Sequence, residues 1–162
     1  MGKTKIAHGH ETHPKSRAPK NFCFACGKDN RQGMRLKFSI DEQARQAICK
    51  FKLARRYQGP PGHAHGGIIA TILDEAMGKI NRLSRVVALT RAMNVEYLKP
   101  VPLGKPLTVV GRARRAEGRE HTNVAEITDG QGQVLARSTG RFIAVDVAGM
   151  FAKYITKPKP KQ

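Results

Sequence analysis

His65-Gly66-Gly67-Ile68-Ile69-Ala70-Thr71-Ile72-Leu73-Asp74 is the stretch whose reading decides the fold. A glycine pair opens an apolar run, and apolar residues occupy 68, 69, 72, 73, 76, 77 and 80. That is helical spacing with a stripe wide enough to be enclosed, so it predicts one long, largely buried helix. Gly78 is the one weak residue in the run, costing about 1 kcal/mol relative to alanine. A buried helix start offers backbone N–H groups and the positive end of the macrodipole. Glycines there let a ligand oxygen approach without meeting a Cβ. Asp74 lies seven residues after Gly67, so both project from roughly the same side of the helix. An N–H that polarises a carbonyl and a carboxylate that activates water are the two parts needed to hydrolyse an activated acyl group.

Outward from the helix the chain reads as strands. Residues 33–40 and 44–53 precede it, separated by the polar turn Asp41-Glu42-Gln43, and Gly59-Pro60-Pro61-Gly62 forms the loop into it. Residues 86–98, 106–116, 120–129 and 133–145 follow. Ala47, Cys49, Phe51 and Leu53 share one face, which makes Cys49 a core filler. This order predicts an α+β fold: one antiparallel sheet of about six strands curled around one long helix. A single exposed sheet face needs a partner.

The chain of 162 residues suits one domain, able to bury roughly two thirds of its unfolded surface. The expected organisation is a mobile basic arm at 1–20, a folded domain at 21–146 and a basic tail at 147–162. Thirty Lys and Arg against 12 acids give a formal charge of +18. Such a field attracts polyanions, nucleic acid among them, but no helix-turn-helix or zinc-finger signature is present. No apolar run approaches the ~20 residues of a membrane helix. Three cysteines, an odd number, argue against a disulfide framework and point to a cytoplasmic protein.

Several residues carry candidate chemistry. Asp74 stands among Ile72, Leu73 and Met77, where burial raises a carboxyl pKa. Glu75 points about 100° away along the helix and ranks well below it as a solvated acid. His65 is a candidate base, ligand or N-terminal cap, and it reads as a helix-entry or substrate-positioning residue before a proton-transfer one. Thr90 follows Asp74 by sixteen residues in the next strand, and strict alternation places Asn94 on the same face. Cys23 and Cys26 have metal-ligand spacing, but a zinc site needs further ligands and Cys49 belongs to the core. The expectation is that they bind no metal, and that Phe22 and Phe24 pack this segment over the sheet.

His-Gly-Gly followed by an aspartate nine residues after the histidine resembles the central helix of hotdog-fold acyl-CoA thioesterases of the phenylacetate-pathway (PaaI-like) group. Three further pieces are similar in order. They are Asn21 to Asn30 with Gly33 to Phe38, then Leu89 to Gly104, and finally Gly132 to Phe142. The resemblance spans about residues 21–146. It implies the hotdog fold, a homodimer or homotetramer with sites between protomers, and thioester hydrolysis to free acid and coenzyme A without metal or redox cofactor. It implies Gly67, with Gly66, polarising the thioester carbonyl and His65 shaping that turn. Asp74 is then base or nucleophile, and Thr90 orients the water. Beside these, Asn94 is a candidate to line the pocket from its place on the face of Thr90, and Arg91, Lys99 and Arg141 are candidates for the CoA phosphates. Other classes on the same fold are a non-catalytic acyl-CoA sensor, a nucleic-acid binder, and a hydratase or dehydratase.

Overall fold

The computed structural model describes residues 20–146 and 149–150. The expected basic arm, save Lys20, and the expected tail, save residues 149 and 150, lie outside them. Helix α1 runs Gly66–Ile80 and buries Ile69, Ile72, Leu73, Ala76, Met77 and Ile80. The strands are β1 (Ser39–Asp41), β2 (Gln46–Phe51), β3 (Ala88–Tyr97), β4 (Leu107–Glu117), β5 (Glu120–Asp129) and β6 (Val134–Ala144). They form one antiparallel sheet in the order β1-β2-β4-β5-β6-β3, the helix packed on one face. This is the hotdog arrangement. Among the described residues no helix is long and apolar enough to cross a membrane.

Helix α1 lies unusually close to the middle strands, and glycine makes that possible. A Cβ on Gly111 would stand 2.4 Å from the Ala76 carbonyl oxygen, on rigid helix backbone. On Gly140 it would meet the Met77 methyl and the Phe142 ring at 2.9 Å. The far end of the helix is fixed by a buried polar pair. Asn123 Nδ2 donates to the Met77 carbonyl and to Asn81 Oδ1, both at 2.9 Å, which occupies a helix-end acceptor without water.

Two departures from the sequence reading have local causes. The predicted strand at 33–40 is regular only over Ser39–Asp41. Its first half pairs elsewhere: Met34 N–H donates to Phe24 O and Leu36 N–H to Ala25 O. The backbone of this segment is spent on the lead-in turn. The second departure is a β-bulge in β3. Thr90 faces Phe142 on β6, while Ala92 faces Arg141, so Arg91 has no partner in the register. The extra residue shifts the alternation by one from that point on.

The two edges of the sheet differ. β1 has three residues, a short edge that offers little to another strand. β3 has ten and carries exposed Leu89 (42%) and Tyr97 (54%), with exposed Val87 and Leu98 flanking it. That is a long, partly apolar edge of the kind soluble proteins normally cover.

Candidate active site

Asp74 sits midway along α1, half-buried, and Thr90 on β3 reaches it. Thr90 Oγ1 donates to Asp74 Oδ1 at 2.7 Å. Thr90 points inward because it stands opposite Phe142, a buried residue of the helix-facing side of β6. Burial raises the Asp74 pKa, the Thr90 hydrogen bond draws it back down, and the Glu75 charge next along the helix raises it further; the net direction is up. The pair borders an open cleft of about 270 Å³ between α1 and β3, with Glu75, Lys79, Leu89 and Phe142 around it. A threonine hydroxyl that has given its proton to the carboxylate still has acceptor capacity. One water can therefore donate to Thr90 Oγ1 and to the free Asp74 oxygen, the geometry of a base holding its nucleophile.

The helix start is built separately. His65 is the N-cap, its Nδ1 accepting the Gly67 N–H at 3.0 Å, which makes Nε2 the protonated ring nitrogen in the neutral form. The Ile68 N–H goes to the His65 carbonyl, and the Gly66 N–H has no acceptor among the described residues. The Gly67 N–H, expected to be free for a ligand, is thus held by the cap in this conformation. Gly66 is the open donor. Tyr97 Oη donates to the Gly66 carbonyl at 3.2 Å. A Cβ on Gly66 would find its nearest neighbour, the Tyr97 ring, at 3.7 Å, so contacts within the chain do not require glycine there. Around this turn Ile69, Tyr97, Lys99 and Val101 shape a more apolar hollow of about 410 Å³.

These are two separate clusters, not one. Gly67 and Asp74 share a side of the helix as expected, but seven residues amount to about 10 Å of rise. The two clefts share no lining residue.

The remaining candidates separate cleanly. Lys99 lies at the helix-start hollow. Asn94 does not share a face with Thr90: it stands opposite Thr139, on the outer side of the sheet, because the bulge at Arg91 shifts the alternation. Arg91 and Arg141 also lie away from Asp74, both within 4 Å of Glu120, at 3.8 and 3.7 Å. Phe22 and Phe24 do not pack the lead-in segment down, being 61% and 47% exposed; Ala25 and Leu36 fill that place. The turn closed by Gly27 N–H on Cys23 O turns Ala25 inward and leaves the aromatic rings outside.

Glu75 is not the isolated surface acid expected from its angle. It pairs with Lys79 at 2.7 Å, and its other oxygen lies 3.7 Å from Cys23 Sγ. Lys79 Nζ also donates to Cys26 Sγ at 3.0 Å. Burial pushes the Cys26 thiol up, reinforced by Glu75 and only partly offset by Lys79. Burial works to lower Lys79, but its bonds to Glu75 and Cys26 outweigh that and raise it. The i,i+4 spacing of Glu75 and Lys79 is legible in the sequence; the link to the cysteines, which spans about fifty residues, is not.

Residues 61–136, from the loop before α1 into β6, match the family profile described as thioesterase superfamily. The acyl-coenzyme A thioesterase THEM4 of Rattus norvegicus is 36% identical over 76 residues, covering 47% of this chain and 33% of the relative. THEM5 of Homo sapiens, also named an acyl-coenzyme A thioesterase, is 25% identical over 118 residues, 72% of this chain and 47% of its own length. The chain thus spans between a third and a half of these relatives. A solved thioesterase superfamily protein superimposes with a TM-score of 0.72 at 29% identity, over 76% of this chain and 60% of that one. The Escherichia coli PaaI protein of the phenylacetic acid degradation operon shares the fold, with a TM-score of 0.63 at 19% identity over 68% and 80% of the two chains. Both clusters, Gly66-Gly67 and Asp74-Thr90, fall inside the matched segment.

Proposed function

We propose that this protein hydrolyses acyl-CoA thioesters to free acid and coenzyme A. The observation that carries the reading is the Asp74–Thr90 pair: a carboxylate with a raised pKa, bordering a cleft, with one oxygen tied to a hydroxyl at 2.7 Å. A base for neutral-pH hydrolysis is favoured by a pKa raised toward the working pH. The named function of the THEM4 and THEM5 relatives supports the substrate class.

The two clusters complete each other when two protomers pair along the open β3 edges, extending the sheet and burying Leu89 and Tyr97. Pairing about a two-fold axis brings the helix start of one copy to the Asp74 of the other. The Gly66 N–H, joined by Gly67 when His65 turns aside, polarises the thioester carbonyl. Asp74 of the second copy takes a proton from water as that water attacks, and the CoA thiolate leaves. Lys99, beside the helix start, is placed to meet a phosphate. The three free cysteines suit a reducing compartment such as the cytoplasm.

Thiol release from short, long and aromatic acyl-CoAs tests the reading, with light scattering on the same sample. Turnover of at least one of them by a dimer or larger assembly is expected. Tight CoA-ester binding without thiol release would make the protein a sensor, and turnover by a stable monomer would refute the shared site. Single turnover in 18O-water tests the nucleophilic role of Asp74: label in the carboxylate of the enzyme means an anhydride opened at Asp74, whereas label only in product fits either a general base or an anhydride opened at the acyl carbon, which trapping of the acyl-enzyme then distinguishes.

A further inference from the structure

The Cys23-Cys26 turn supplies no group to the proposed hydrolysis, yet the fold sets it against helix α1. Cys23 Sγ, Cys26 Sγ and a carboxylate oxygen of Glu75 all lie within 4.8 Å of one another. A tetrahedral zinc site, with Zn–S near 2.3 Å and Zn–O near 2.0 Å, spaces its ligand atoms roughly 3.5–3.8 Å apart. Side-chain adjustments of about 1 Å close the difference. The turn is tightly constrained: Gly27 N–H is bonded to Cys23 O at 2.9 Å, and a Cβ on Gly27 would stand 2.4 Å from that oxygen.

Lys79 completes the arrangement without competing for the metal position. It holds Glu75 by Oε1 at 2.7 Å, which leaves Oε2, the oxygen nearer Cys23, to face a cation. Its second bond, to Cys26 Sγ at 3.0 Å, is the N–H···S contact that steadies a metal-bound thiolate. Charge balances as well. Two thiolates and a carboxylate sum to −3, matched by a divalent cation and the Lys79 ammonium.

We propose that Cys23, Cys26 and Glu75 bind one thiophilic divalent cation of the zinc class, with Lys79 orienting Glu75 and donating to the Cys26 sulfur. The fourth position of the tetrahedron goes to solvent. Metal binding releases the two thiol protons to water and changes no oxidation state. The cation ties the lead-in segment to α1 at the residue next to Asp74, and so fixes the rotation of the helix that carries the catalytic carboxylate. A Cys-x-x-Cys pair alone lacks ligands for such a site; the folded chain supplies the third from the middle of its helix.

The test uses the full chain, expressed without a histidine tag and purified under reductant without chelator. Elemental analysis is expected to find close to one zinc per chain. After stripping, added zinc chloride should raise Tm, and cobalt(II) should give thiolate-to-metal charge-transfer and tetrahedral d–d bands. Cys23→Ser with Cys26→Ser should abolish all three signals. Glu75→Gln, which keeps both thiols, should weaken zinc binding by about tenfold or more, and Lys79→Met should weaken it by a similar factor while keeping the charge-transfer bands. Metal-free protein whose Tm ignores zinc would overturn the proposal. Stoichiometric zinc surviving in the double serine variant would do so too, by placing the metal on other ligands. Thiol counting that finds a Cys23–Cys26 disulfide under reductant would replace the metal site with a redox pair.

Discussion

Asp74→Asn isolates the proposed base with little else disturbed. The amide keeps an oxygen at the Oδ1 position, so the Thr90 hydroxyl still has its acceptor at 2.7 Å. What changes is the other arm, where an N–H donor replaces the oxygen that would take the proton from water. Loss of a positioned proton acceptor is worth ~100-fold or more in kcat, about 2.7 kcal/mol of barrier. The same substitution makes a stability claim of known sign. Burial raises the Asp74 pKa in the folded state, so folding favours the protonated acid. That contribution is fully present below the unfolded pKa and is lost as pH rises through the folded one. Above the folded pKa the wild type therefore carries an ionised, partly desolvated carboxylate, and the neutral amide relieves it. Thiol-release kinetics with thermal melts at pH 7 should show kcat down by that factor and Tm unchanged or higher. A folded variant that keeps more than a tenth of wild-type kcat would refute the base assignment. A fall in activity that tracks a fall in Tm would refute the electrostatic reasoning.

Thr90→Val removes the hydrogen bond that lowers the Asp74 pKa, so the acidic limb of kcat against pH should move to higher pH, with a smaller loss at the optimum than Asp74→Asn shows. Gly66→Val should fold, since a Cβ there has ordinary contacts, yet lose activity at the helix start. Refolding it in equal amounts with Asp74→Asn should recover about a quarter of wild-type activity, because half the pairs are mixed and each has one intact site; no recovery would argue for sites within one chain. Gly111→Ala drives a methyl group into the Ala76 carbonyl and should cost at least about 1 kcal/mol, a fall in Tm of roughly 3 °C or more by calorimetry.

The parts of the structure legible in the sequence are those governed by periodicity. Apolar spacing placed α1 at Gly66–Ile80, and alternation with turn residues placed β3 to β6 to within about two residues. Asp74 is legible from the helix spacing, but Thr90 is by type an ordinary strand residue that only the resemblance joins to Asp74; their hydrogen bond is a long-range contact that spacing does not encode. Asn94 was misplaced because a bulge leaves no mark in composition: Arg91 is an ordinary strand residue by type, and only the β6 register shows it to be extra. The cap on Gly67 N–H depends on the His65 rotamer, which spacing does not encode. Glu75 was underrated because its partners are brought to it by the lead-in turn, a long-range contact with no local signal.

Arg91 also gives β3 a spare link. The strand is fastened to α1 at two hydroxyls, Thr90 on Asp74 and Tyr97 on the Gly66 carbonyl, and the surplus residue lies between those fastenings. Deleting Arg91 leaves Thr90 opposite Phe142 and Ala92 opposite Arg141, so every other pairing survives and the ladder becomes regular. Even the charge it meets is retained, since Arg141 stays beside Glu120. A deletion elsewhere between the two fastenings is taken up by the same slack, but residues between it and position 91 change sides. Shortening this strand by one is therefore least disruptive at Arg91, and lengthening it there finds the slack already used.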